Sequence, residues 1–182
     1  MKKAILVGAS SGIGKELSII LARNGYEVGL MARRIELLEE LQREIPTKSH
    51  IGYLDLSGVE DATKQIQKMI QKMNGVDLMI INSGTGFLNP DLDWSKEQQT
   101  LDINVYGFCA LAGIAFKFFS KQKHGHLVGI SSIGALRGNP YERGRERGRV
   151  KGAVPALGIT LVQRYSKKSQ NVIPNAGTAP FT

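Results

Sequence analysis

Three glycines, Gly8, Gly12 and Gly14, with the hydroxyls of Ser10 and Ser11 between them, are the first residues of this chain whose types and spacing could do chemistry. The spacing G-x-x-x-G-x-G suits the binding of an anion such as a pyrophosphate. Glycine lets a ligand approach the backbone closely, and the free N–H groups and positive dipole end of a following helix supply the attraction. Such a site needs a strand before it and a helix after it. Ala4-Ile5-Leu6-Val7 is apolar without alternation, as a strand covered on both faces of a parallel sheet must be. Ile13, Leu17, Ile20 and Leu21 then recur at helical spacing. The pattern predicts a first, central strand, a glycine turn and a helix N-terminus.

Three other readings compete for the same residues. Gly8-Ala9-Ser10-Ser11-Gly12 fits the G-x-S-x-G elbow that presents a nucleophilic serine between strand and helix. That reading makes Ser10 a hydrolase nucleophile and requires an earlier strand, a later acid and a later histidine. Gly14-Lys15 approaches a Walker A loop, but the first glycine is one residue out of register. Glu16 stands where Ser or Thr would bind magnesium. The last reading is a glycine turn without a ligand.

The elements that would position further polar groups follow in order. Glu27–Ala32 reads as a second strand, ending before Arg33 and Arg34. Leu37, Leu38, Leu41 and Ile45 mark a helix that Pro46 ends. His50–Leu54 is a third strand, closed by Asp55, and Val59, Ala62, Ile66, Met69, Ile70 and Met73 form one helical face. Those methionines read as core. Val76–Ile81 is a fourth strand running into Asn82-Ser83-Gly84. Leu101, Val105, Phe108, Ala112, Ala115 and Phe119 mark a long packed helix, and His126–Ile130 is a fifth strand before Ser131-Ser132. Strands alternating with such helices predict an α/β fold: one doubly wound, Rossmann-type parallel sheet with helices on both faces. Ligands of such sheets bind beyond the carboxyl ends of the strands, where the strand order reverses. Gly8, Ala32, Asp55, Asn82 and Ser132 all fall at those ends.

Composition narrows the class. A chain of 182 residues, 42% hydrophobic, can bury one sizeable core, so a single domain is expected over residues 1–182. One cysteine, Cys109, excludes an internal disulfide and suits a reducing, cytoplasmic compartment; among Phe108, Ala110 and Leu111 it reads as a buried thiol. No apolar run is expected to reach the ~18 residues of a membrane span. Most of the net charge of +8 lies in the tail, because residues 141–182 carry 8 basic and 2 acidic side chains, a net of +6. Part of that tail is a tandem, Glu142-Arg-Gly-Arg145 and Glu146-Arg-Gly-Arg149, an atypical basic loop. Arginine-glycine repeats can bind RNA by charge and stacking, but RNA-binding segments run longer and carry aromatics, so neither a nucleic acid nor a membrane is the expected partner.

Residues 3–140 resemble the classical short-chain dehydrogenase/reductase family. The resemblance rests on Gly8-x-x-x-Gly12-Ile13-Gly14, Asp55-Leu56 after the third strand, Asn82-Ser83-Gly84 after the fourth, Asn104 in the long helix and Ile130-Ser131-Ser132 after the fifth. It implies that Gly8, Gly12 and Gly14 hold a cofactor pyrophosphate, with Ser10 and Ser11 donating to phosphate oxygens or capping the helix. Asp55 would bind the adenine edge beside Leu56, and Asn82 the nicotinamide-side ribose region or the sheet edge. Ala32 cannot accept from ribose hydroxyls as an acidic residue would. Arg33 can instead pair with a 2′-phosphate, with Arg34 beside it among the cofactor-binding residues, so NADP(H) is expected over NAD(H). No metal is expected.

The resemblance implies hydride transfer between that cofactor and a small carbonyl or alcohol substrate, in a homodimer or homotetramer. Ser132 matches the serine that hydrogen-bonds substrate, Asn104 the asparagine of the proton relay, and Lys151 the lysine of Tyr-x-x-x-Lys. Four residues before Lys151 stands Arg147, whose guanidinium stays charged and cannot serve as a general acid. Tyr141 lies nine residues after Ser132, earlier than the family spacing. This departure keeps open a nucleotide-binding relative, regulatory or RNA-interacting, with impaired catalysis. The family also continues beyond the point where this chain stops, so the chain is expected to be a C-terminally shortened form.

Overall fold

The computed structural model describes residues 1–87 and 89–131. Five parallel strands, β1 (Lys3–Val7), β2 (Glu27–Ala32), β3 (Ser49–Tyr53), β4 (Leu78–Ile81) and β5 (His126–Gly129), form one sheet in the order β3-β2-β1-β4-β5. β1 is central. Ala4, Ile5, Leu6 and Val7 are completely buried, which their unbroken apolar run requires.

Alternate side chains of β1 enter two cores. Ile5 and Val7 pack with Ile66, Met69 and Met73 of α3 (Val59–Lys72) and with Leu111, Ala115 and Phe119 of α5 (Phe108–Gln122). Ala4 and Leu6 pack on the other face with Ala22 of α1 (Gly12–Arg23) and Leu38 and Leu41 of α2 (Ile35–Glu44). The methionines are core residues, as their helical spacing indicates. They also explain two strand glycines: a Cβ at Gly29 would lie 2.6 Å from Met73 Sδ, and one at Gly52 3.0 Å from Met69 Cε.

Element ends depart slightly from the sequence reading. α2 stops at Glu44 because Ile45, before Pro46, is extended (φ −84°, ψ 125°). β4 begins at Leu78, two residues late. The long helix begins at Trp94, and α4 (Trp94–Leu101) is separated from α5 by a π-helical segment, Asp102–Gly107. Together Trp94–Gln122 spans 29 residues and is long and apolar enough by length and composition to cross a membrane, which corrects the expectation that no segment would be. Its apolar residues Leu111, Ala112, Ala115, Phe116 and Phe119 are buried in the sheet core, so packing accounts for part of the hydropathy. Cys109 is half-buried, and burial pushes its thiol pKa up, away from the reactive thiolate. Ser132, Tyr141, Arg147, Lys151 and the arginine-glycine tandem lie outside the described residues.

Candidate functional site

The turn from β1 into α1 is held by contacts that tolerate no side chain at two of its three glycines. Gly8 has φ +88°, and a Cβ there would lie 2.7 Å from Ser83 Oγ. A Cβ on Gly14 would overlap the Gly8 carbonyl oxygen and lie 2.7 Å from Asn82 Nδ2. Gly12 differs: its φ is +55°, yet nothing lies within 4 Å of its Cβ position. Gly8 and Gly14 therefore bring strand and helix together, while Gly12 leaves space on the open side of the turn.

Asn82 ties this turn to the end of β4. Its Nδ2 donates to the Gly8 carbonyl at 3.1 Å, and its backbone N–H, like that of Ser83, donates to the Val7 carbonyl. Of the two roles expected for Asn82, the geometry favours the sheet edge. Ser11 occupies the N-cap of α1, but its side chain makes no capping hydrogen bond, contrary to the capping alternative. The first turn of α1 also lacks an acidic residue, whereas α2 has Glu36 and α3 has Glu60 and Asp61. The dipole of α1 is thus not offset from within its own first turn.

The hydroxyls of Ser10 and Ser11 face the end of β2 instead. Arg34 Nη2 donates to Ser10 Oγ at 3.0 Å and to Ser11 Oγ at 2.8 Å. Ala32 is buried, and Arg33 is exposed. Arg34, rather than the Arg33 that the sequence put forward for the 2′-phosphate, is the arginine brought onto the glycine turn.

At the end of β3, Asp55 Oδ1 accepts from the Ser57 N–H at 3.0 Å, and Leu56 is buried. Leu56 packs under the π segment, where a Cβ on Gly107 would lie 2.7 Å from Leu56 Cβ. Asn104, in the same segment, grips the loop after β4 reciprocally. Its Oδ1 accepts from the Thr85 N–H at 2.8 Å and its Nδ2 donates to the Thr85 carbonyl at 2.7 Å. Ile13, at the start of α1, is exposed, as is Gly84 after β4.

These residues converge where the strand order reverses between β1 and β4, and they fit a dinucleotide. Gly12 leaves room, α1 offers uncompensated N–H groups, and Arg34 adds a cation. Sequence reasoning missed Thr85 and Gly107, whose parts depend on backbone groups and on close approach. It also missed Glu27, the one buried carboxylate among the described residues, which sits at the opposite, amino-terminal edge of the sheet. Burial pushes its carboxyl pKa up, but His50 Nε2 at 2.7 Å and Lys48 Nζ at 3.3 Å outweigh burial and hold it below the ordinary value.

A parallel sheet of this order with a glycine turn at its switch point defines a Rossmann-type dinucleotide-binding protein. The family described as short chain dehydrogenase matches residues 2–174, and the chain belongs to that family. An uncharacterized oxidoreductase of Listeria monocytogenes is 34% identical, the match covering 94% of this chain and 70% of the relative. Farnesol dehydrogenase of Aedes aegypti is 30% identical over 97% of this chain and 72% of its own. Among solved structures, an alcohol dehydrogenase of the archaeon Thermococcus sibiricus, complexed with 5-hydroxy-NADP, superposes with a TM-score of 0.80 at 25% identity, covering 94% of this chain and 73% of that one. A short-chain dehydrogenase/reductase of Mycobacterium marinum reaches a TM-score of 0.83 at 24% identity, covering 92% and 70%, and supports the fold. By family the chain is an oxidoreductase.

Proposed function

We propose that the chain uses NADP(H) in preference to NAD(H) and interconverts a carbonyl and an alcohol on a small molecule. The observation that carries the cofactor choice is the guanidinium of Arg34 on Ser10 and Ser11, beside a β2 end where Ala32 offers no acceptor. A charge-assisted pair with a 2′-phosphate would be worth roughly 1.5–3 kcal/mol, about tenfold to hundredfold in affinity. The relatives, an alcohol dehydrogenase crystallised with an NADP derivative and a farnesol dehydrogenase, support both halves of the reading.

In this proposal Gly8, Ser10, Ser11, Gly12, Ile13, Gly14, Arg34, Asp55, Leu56, Ser83 and Gly84 hold the cofactor, with Arg33 at the rim and Asn82 bracing the glycine turn from the sheet edge. The nicotinamide supplies or accepts the hydride. Ser132 hydrogen-bonds the substrate oxygen, Lys151 orders the site, and Asn104 supports the proton path. Cytoplasmic location and a homodimer or homotetramer complete the reading by family likeness. Arg147, in the register of the family's tyrosine, favours a second reading in which cofactor binds but turnover is slow, since general acid catalysis contributes a factor of ~10²–10⁴.

NADPH oxidation with a panel of aldehydes and ketones, on the unmodified chain and on Arg147→Tyr, tests these readings. NADPH is expected to bind more tightly than NADH, and turnover is expected to be weak until tyrosine is restored. Robust turnover unaffected by Tyr141→Phe would place the proton source elsewhere. Equal affinity for the two cofactors would refute the NADP(H) preference.

A further inference from the structure

We infer that Ser10 and Ser11 set cofactor selectivity through Arg34, as positioning residues that fix its guanidinium before a 2′-phosphate arrives. The inference rests on the NADP(H) reading and adds to it the device that makes the arginine selective.

Arg34 is exposed, and an exposed arginine ordinarily samples many rotamers, so ordering it on binding costs affinity. Here a single nitrogen, Nη2, spends its two hydrogens on two adjacent hydroxyls, 3.0 and 2.8 Å away. These partners lie 24 and 23 residues earlier in the chain, on the glycine turn, so the contact fastens the end of β2 to the phosphate-binding turn. A guanidinium has five N–H donors; with two engaged, the three on Nε and Nη1 remain for a ligand. Each serine accepts from Arg34 and keeps its own O–H to donate. Arginine and hydroxyls thus form a pre-assembled donor set for a phosphate, and the ordering cost is met in the free protein. Among the described residues Arg33 has no comparable hold, which separates adjacent arginines of equal charge by their geometry.

The test uses equilibrium binding of 2′,5′-ADP and ADP to the full chain by calorimetry, and reads the ratio of the two affinities. The unmodified chain is expected to favour 2′,5′-ADP about tenfold or more. Ser10→Ala combined with Ser11→Ala should reduce that ratio roughly threefold to tenfold, and Ser10→Thr with Ser11→Thr, which keeps both hydroxyls, should restore most of it. In an Arg34→Ala background the serine substitutions should change the ratio no further. If the alanine pair weakens both ligands equally, or lowers the ratio by the same factor without Arg34, the serines act directly and the inference is overturned while the NADP(H) reading stands. Equal affinity of the unmodified chain for the two ligands overturns that reading and the inference with it.

Discussion

Gly12 and Gly14 stand two residues apart and meet opposite constraints. A side chain on Gly14 collides with the Gly8 carbonyl and Asn82, so Gly14→Val should destabilise the fold itself, by about 1–3 kcal/mol or more. Gly12→Val faces no neighbour, and its left-handed backbone adds only about 1–2 kcal/mol of strain. That variant should stay folded and fail to bind NADPH, because the branched side chain fills the open side of the turn. Thermal melts alongside nucleotide titration separate the two; tight binding by folded Gly12→Val would contradict the assignment. The glycine spacing was legible because it encodes a backbone demand, but which glycine serves packing and which leaves space depends on Asn82 and Ser83, some seventy residues away. The sequence put Arg33 forward for the phosphate, but adjacent arginines are alike in type, and only the contacts with Ser10 and Ser11 show that Arg34 is the one held on the turn.

The elements were legible in proportion to their apolar patterning. Each buried strand reads as an apolar run, and α3 as a stripe at helical spacing, whereas β4 loses its first two expected residues because ladder pairing begins only at Leu78. The π segment left no mark, since one widened turn alters hydrogen bonding without changing composition. Its function is visible in Asn104, whose amide satisfies both backbone groups of Thr85. Asn104→Leu would remove both partners, costing about 1–3 kcal/mol, and should loosen the loop after β4. Faster amide hydrogen exchange at Thr85, with protection of β1 unchanged, is the expected result; unaltered exchange there would mean the loop is held by other contacts.

Across the whole molecule the two edges of the sheet carry different charge arrangements. The carboxyl edge gathers the glycine turn and Arg34, and the amino edge buries Glu27 between His50 and Lys48. With Glu27 ionised, His50 Nε2 donates to it, and the depressed carboxyl pKa makes this cluster stabilising above the ordinary carboxylate value of 4.5. That contribution should be lost as pH falls through the lowered folded value. Glu27→Gln should therefore cost stability at neutral pH, about 1–3 kcal/mol, and cost progressively less in acid. Denaturant titrations at several pH values check this, and a penalty independent of pH would show that packing rather than charge is responsible. Nothing in the sequence singled out Glu27, because a charged residue opening a strand is ordinarily solvated.

The π segment also acts as a phase shifter in the helix that contains it. A continuous α-helix advances about 100° per residue, so the widened turn sets the azimuth of everything before it relative to α5, which the core fixes through Leu111, Ala115 and Phe119. Winding Asp102–Gly107 as regular α-helix with no residue removed would regularise the hydrogen bonding yet swing Asn104 well around the axis relative to α5, off Thr85 and away from the switch point. Removing one residue there would instead leave the azimuth nearly unchanged. The irregularity is thus the timing of the screw: a better-formed helix would deliver the right side chain to the wrong side of the sheet.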